Sequence, residues 1–225
     1  IPQETPKVDF LFVIDNSGSM SDDQETISNA ADTFFRTISS QTLDYKLATI
    51  TTDSSELQDS DEDGGFTSSE DEFKVDVKPG TSGHYIETGI FYAEEALKDE
   101  SKGDDVSGSV ITEGYPRAGA ALSIIMFTDE PDFYNSISSQ SSGTAFDAAD
   151  NLFIDRNYQV YGIINESSSE SRDDGYVDLI NNTNGSYADI RNLQALERIM
   201  EQMALESSTA SSPVKLTKTP ISTSL

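Results

Sequence analysis

The chain alternates between short, continuously apolar runs and longer stretches in which apolar residues recur every three or four positions. Val8, Phe10, Leu11, Phe12, Val13 and Ile14 predict a strand over residues 8–15 that helices cover on both faces. Residues 21–39 then take helical period, with Ile27, Ala30, Ala31, Phe34, Phe35 and Ile38 on one side. Ser21, with Asp22 and Asp23 behind it, makes a good helix start. Residues 43–52 predict a second strand and 73–77 a short one. Ile86, Ile90, Ala93 and Leu97 mark a helix, 99–118 a Gly-, Ser- and Asp-rich loop, and 120–128 a buried strand ending at Asp129. Phe146, Ala149 and Leu152 suit a helix, 158–164 a strand, 166–174 an acidic loop, 177–180 a short helix and 187–190 a last strand. Leu193, Leu196, Ile199, Met200 and Met203 give a final amphipathic helix. Such alternation predicts an α/β fold: a doubly wound, mostly parallel central sheet flanked by helices on both faces.

The same pattern suggests the domain organisation. Residues 1–206 read as one α/β domain with an acidic, weakly patterned insertion at about 53–72. Residues 207–225 read as a Ser-rich linker and an alternating segment, 214–219, that would begin a following domain or form a C-terminal stub.

Composition narrows the function. Fourteen basic against 41 acidic residues give a formal charge of −27. A phosphate backbone repels such a surface, which argues against nucleic acid as a partner. Anionic membranes are disfavoured by sign, and no apolar run reaches the ~20 residues of a membrane span, so this segment is not expected to insert. Cations and basic partners are favoured. With no cysteine, disulfides and thiolate metal sites are excluded. The chain opens on Ile1-Pro2 without Met or signal peptide, which predicts an exported protein whose leader has been removed.

The candidate chemistry sits at strand ends. The first strand runs into Asp15-Asn16-Ser17-Gly18-Ser19-Met20, a Gly-containing turn carrying one carboxylate and two hydroxyls. Hard cations such as Mg²⁺ take a few well-placed oxygens and keep several waters. Open α/β sheets bind ligands at the carboxyl ends of their strands. A second strand end supplies Asp129, in Phe127-Thr128-Asp129-Glu130. The plainer alternative is a polar turn with Ser21 capping the helix. A separate segment, Asp59 to Glu70, fits the spacing D-x-D-x-D-G-x₅-E of a calcium loop. It would offer Asp59, Asp61 and Asp63, the Gly65 carbonyl, water or Thr67, and a bidentate Glu70 to Ca²⁺, with Gly64 at the sharp turn. The alternative there is a solvated acidic loop.

The D-x-S-x-S spelling of Asp15, Ser17 and Ser19, the IIMFTD strand end, and the late Gly185-Ser186-Tyr187 segment together resemble the von Willebrand factor A (VWA) domain, of the bacterial surface-protein type. The resemblance spans roughly residues 8–206. It implies a metal-ion-dependent adhesion site (MIDAS) in which Mg²⁺ or Mn²⁺ is held by Asp15, Ser17, Ser19 and Asp129. The third loop of the family's site carries a Thr; counting back from Gly89-Ile90 puts His84 at that place, and Thr81, Ser82 and Glu87 are the other candidates. Tyr115, Phe133 and Tyr134 would flank the metal. The resemblance implies a non-enzymatic, extracellular or cell-surface adhesion module whose cation takes an acidic group of a protein or glycan ligand. An alternative is a haloacid-dehalogenase-like, Mg²⁺-dependent phosphatase, but its signature needs a second Asp where this chain has Ser17, and a hydroxyl is no general acid. A structural surface domain with a degraded site is the third reading.

Overall fold

The computed structural model describes residues 5–41, 43–59, 64–84, 87–134, 146–165 and 175–210. In chain order the strands are β1 (Lys7–Ile14), β2 (Asp44–Thr51), β3 (Ser54–Gln58), β4 (Ala121–Thr128), β5 (Gln159–Ile164) and β6 (Tyr187–Asp189). The helices are α1 (Ser21–Ser40), α2 (Glu70–Asp76), α3 (Gly89–Leu97), α4 (Ser109–Thr112), α5 (Leu152–Asp155), α6 (Tyr176–Asn182) and α7 (Leu193–Ala210). The strands form one sheet in the order β3-β2-β1-β4-β5-β6. All neighbours pair parallel except β2 and β3, which form an antiparallel hairpin at one edge.

The apolar run of β1 explains the two-sided architecture. Val8, Phe10, Phe12 and Ile14 pack into one core with residues of α1, α2 and α7, while Leu11 and Val13 enter a second with α3–α6. A two-residue period needs apolar side chains at every position when both faces are covered. The first core is built on aromatic edges: Phe34 meets Phe10 at 5.2 Å, and Phe12 meets Phe73 at 4.7 Å between ring centroids. Asp9 is the polar exception inside β1. It is fully buried and takes the Arg117 amide at 2.7 Å and Nε at 2.8 Å. Arg117 also reaches Asp44 at 2.6 Å, so one guanidinium clamps the beginnings of β1 and β2.

Several expectations are corrected. Residues 73–77 are not a strand; they lie mostly in α2. Ser69 caps that helix by accepting the Glu72 amide at 3.3 Å, and three acidic residues fill its first turn. Phe73 and Val77 are buried and Val75 is exposed, a helical and not an alternating pattern. The acidic segment 53–72 contains β3 as well. The loop 99–118 contains α4 and a 3₁₀ turn, Glu100–Lys102. The helix expected around 146–152 is only the one-turn α5, capped by Asn151. The last helix runs through the Ser-rich stretch to Ala210. Residues 211–225, including the alternating segment 214–219, lie outside the described residues. Among the described residues, no helix is long and apolar enough to cross a membrane.

From β1 the chain crosses to β2 on one side, and β4 returns on the other. The ends of β1 and β4 therefore diverge into a crevice at the sheet's carboxyl edge, the topological switch point of a doubly wound fold.

Candidate metal centre

Asp15 and Asp129 stand on either side of that crevice. The β1 ladder extends one step past the strand, the Asp15 amide donating to Phe127 O at 2.9 Å. This fixes Asp15 beside the end of β4. The side chain is fully buried. Its Oδ1 accepts the Ser17 amide at 2.8 Å and its Oδ2 accepts Thr128 Oγ1 at 2.6 Å. Ser17 then begins a 3₁₀ turn, Gly18–Met20, whose buried Met20 pins it to the core. The turn brings Ser17 Oγ to 3.0 Å from Ser19 Oγ, and Ser19 Oγ donates to Asp129 Oδ1 at 3.0 Å. Asn165 Nδ2, at the end of β5, donates to Asp129 O at 3.3 Å. The four oxygen-bearing residues expected at the site thus sit together in one hydrogen-bonded chain.

Their spacing bears on cation fit. Adjacent ligands of an octahedral ion at 2.0–2.1 Å lie about 2.9 Å apart. The Ser17–Ser19 and Ser19–Asp129 oxygens are already at 3.0 Å. Burial pushes the Asp15 carboxyl above its usual range; the bonds from Thr128 and Ser17 work against that, and the charge of Asp129 adds to it. Uncompensated negative charge of this kind is what a bound cation relieves. Among the described residues, no three acidic or imidazole side chains converge as a metal cluster, here or elsewhere. Any cation here leans on hydroxyls as much as on carboxylates.

The third-loop candidates separate. Thr81 is half-buried, and Ser82 and His84 are exposed. His84 engages through its backbone, its amide donating to Asp53 Oδ2 at 3.0 Å. Glu87 is 1% exposed. One of its oxygens accepts Thr52 Oγ1; the other, Oε1, is buried with no hydrogen-bond partner. Burial pushes the Glu87 carboxyl up to about 8; the Thr52 bond opposes the shift, and the charges of Asp15, Asp53 and Glu130 add to it. A buried, half-satisfied carboxyl close enough to feel Asp15 is the orphaned polar atom expected beside an ion site. Of the four candidates, Glu87 is the one whose side chain the structure buries there.

Supporting residues escape a reading by motif. Gln24 Nε2 bridges Asp15 O at 2.9 Å and Gly80 O at 2.8 Å, joining the first loop to the segment that leads to His84. Asp132 accepts the Ile90 amide at 3.0 Å and the Tyr134 amide at 2.7 Å, tying the loop after β4 to the start of α3. Asp53 follows Thr52 at the end of β2 as Asp129 follows Thr128 at the end of β4, a repeated Thr-Asp pair that could have pointed to it. Burial raises the Asp53 carboxyl, but bonds from Thr51, His84 and Asn16 outweigh this and hold it below its ordinary value.

Of the aromatic residues expected around the metal, Phe133 is partly exposed beside Asp132, and its amide donates to Glu87 O at 2.9 Å. Tyr134 turns to Glu94, with its hydroxyl donating at 2.5 Å. Tyr115 is misplaced by the sequence reading: it stacks on Phe66 at 3.5 Å and lies just before Arg117, at the opposite edge of the sheet. In the proposed calcium loop, Asp59 Oδ2 accepts the Gly64 amide at 3.2 Å, Gly64 and Gly65 take positive φ, and Glu70 opens α2 with its carboxylate on Lys74 at 2.7 Å. Asp61 and Asp63 lie outside the described residues.

No protein-family model matches the chain, and no curated protein sequence does. Among solved structures it is similar to the pilus adhesin SpaC from Lactobacillus rhamnosus GG in its open conformation, with a TM-score of 0.55 and 13% identity over 92% of this chain and 31% of that one. It is also similar to proximal thread matrix protein 1 of the mussel byssus, with a TM-score of 0.48 and 14% identity over 89% of this chain and 46% of that one. The chain therefore spans about a third of the adhesin's length. At such low identity, what the likeness to the adhesin establishes is the fold: a six-stranded, mostly parallel sheet between two layers of helices.

Proposed function

We propose that this domain is a metal-dependent ligand-binding module of the VWA type, acting at a cell surface or outside the cell. Asp15, Ser17, Ser19 and Asp129 would hold Mg²⁺ or Mn²⁺ in a MIDAS, and Glu87 would face it from the third loop. When bound, such an ion supplies an electrophilic centre that accepts an acidic oxygen of a protein or glycan partner. The observation that carries the reading is the chain of side-chain oxygens from Ser17 through Ser19 to Asp129, spaced at 3.0 Å at the switch point of the sheet. The adhesin fold of the SpaC neighbour supports a surface role.

Charge adds a condition on the partner. At −27 the chain repels an acidic ligand at long range, so attraction at the site must be local and due to the ion. The rest of the partner's contact surface is then neutral or basic. A binding module is favoured over a phosphatase because Ser17 occupies the place of the general acid. Titration calorimetry tests the reading. Wild type should bind Mg²⁺ or Mn²⁺, and Asp15→Ala should lose the binding while keeping its circular dichroism. Unchanged affinity in the variant would reject the site.

A further inference from the structure

Asp53 sits in the tight turn between β2 and β3, and its carboxylate is used three times. Oδ1 accepts Thr51 Oγ1 at 2.7 Å and Asn16 Nδ2 at 3.0 Å; Oδ2 accepts the His84 amide at 3.0 Å. Asn16 is the residue between Asp15 and Ser17. One carboxylate thus grips the Asp15–Ser19 turn with one oxygen and the segment 80–84 with the other. The two loops also touch directly. The Gly83 amide donates to Asn16 O at 2.9 Å, and a Cβ at position 83 would lie 2.4 Å from Asn16 Oδ1. Only glycine permits that approach.

We propose that Asp53 is a positioning residue of the cation site, locking the Asp15–Ser19 turn against the segment 80–84 so that the ligand oxygens are spaced before an ion arrives. The inference rests on the cation reading above. Physically, a loop ordered in advance loses less conformational freedom on binding. Partners that orient metal ligands are typically worth 10–100-fold in affinity. Asp53 acts through Asn16 and His84.

Two variants dissect the lock. Asp53→Asn keeps an acceptor for Thr51 and Asn16 but turns a donor toward the His84 amide. Asn16→Ala removes the other tie and leaves Asp53 on Thr51 and His84, so it serves even if Asp53→Asn folds poorly. The full chain is measured twice. Amide hydrogen exchange in chelator reads the lock without an ion, and electron paramagnetic titration with Mn²⁺ reads the site. We expect faster exchange at Gly83 and His84 in Asp53→Asn, Mn²⁺ affinity lowered about 10–100-fold in both variants, and a broadened bound-Mn²⁺ spectrum. Asp9→Asn, which loosens the Arg117 clamp at the far edge, should lower Tm and leave Mn²⁺ affinity alone. Faster exchange with unchanged Mn²⁺ affinity overturns the inference, as does unchanged exchange in Asp53→Asn. A wild type that binds no Mn²⁺ overturns the cation reading and the inference with it.

Discussion

Glu87 keeps a proton at neutral pH because its surroundings leave the anion poorly solvated: one oxygen on a Thr hydroxyl, the other on nothing, with Asp15, Asp53 and Glu130 adding negative charge. Unfolded, this carboxyl ionises near 4.5; folded, near 8. The folded chain therefore binds more protons across that window. Its contribution to stability is full below about 4.5 and is lost as pH rises through 8. In chelator, Tm should fall across this range more steeply in wild type than in Glu87→Gln; equal slopes would mean Glu87 is not held neutral. At this scale the sequence shows the candidate ligands better than the residues that support them. Asp15, Ser17, Ser19 and Asp129 announce themselves by spacing. Thr128, Gln24, Asp53 and Asp132 act through hydrogen bonds that reach across as many as 113 positions of chain, and no spacing rule encodes such contacts.

Among the elements, α2 shows where pattern reading failed and why. The run Phe73-Lys74-Val75-Asp76-Val77 alternates apolar and polar residues, which suggests a strand. The deciding signals lie just before it: Ser69 and Glu72 at capping-box spacing, and an acidic first turn answered by Lys74. Phe73 then anchors the helix in the aromatic core, 4.7 Å from Phe12 and 5.6 Å from Phe35. Truncation to Phe73→Ala should cost about 3–5 kcal/mol through the cavity it leaves. Ser69→Ala should cost about 1 kcal/mol. Urea unfolding measures both, and a Phe73→Ala cost no larger than that of Ser69→Ala would place the helix outside the cooperative core. The strands β1 and β4 were legible because burial on both faces leaves little freedom in their composition, and α1 because its buried stripe repeats at helical period over 20 residues. The polar edge strand β3 and the one-turn α4 and α5 were not, since each is defined by its neighbours and not by its own period.

For the molecule as a whole, the doubly wound order follows from alternation of strand and helix, whereas the side of β1 on which β4 falls does not. That choice creates the crevice. It also sets how the domain would respond to being pulled, because β1 is the central strand and leaves the sheet at Lys7, the edge opposite the proposed site. Residues 8–14 pair with β2 and with β4 at once. Tension between Lys7 and a ligand held at Asp129, just past the end of β4, pulls these parallel neighbours past one another and loads the β1–β4 ladder in shear, so many hydrogen bonds must fail together. The β2–β3 hairpin, drawn apart sideways, opens pair by pair. Single-molecule pulling from Lys7 against Asp129 should therefore need the greater rupture force, and equal forces along the two axes would refute the idea. If the order holds, this sheet resists load best along the line from Lys7 to the end of β4, across the parallel ladders, and least at the β2–β3 edge.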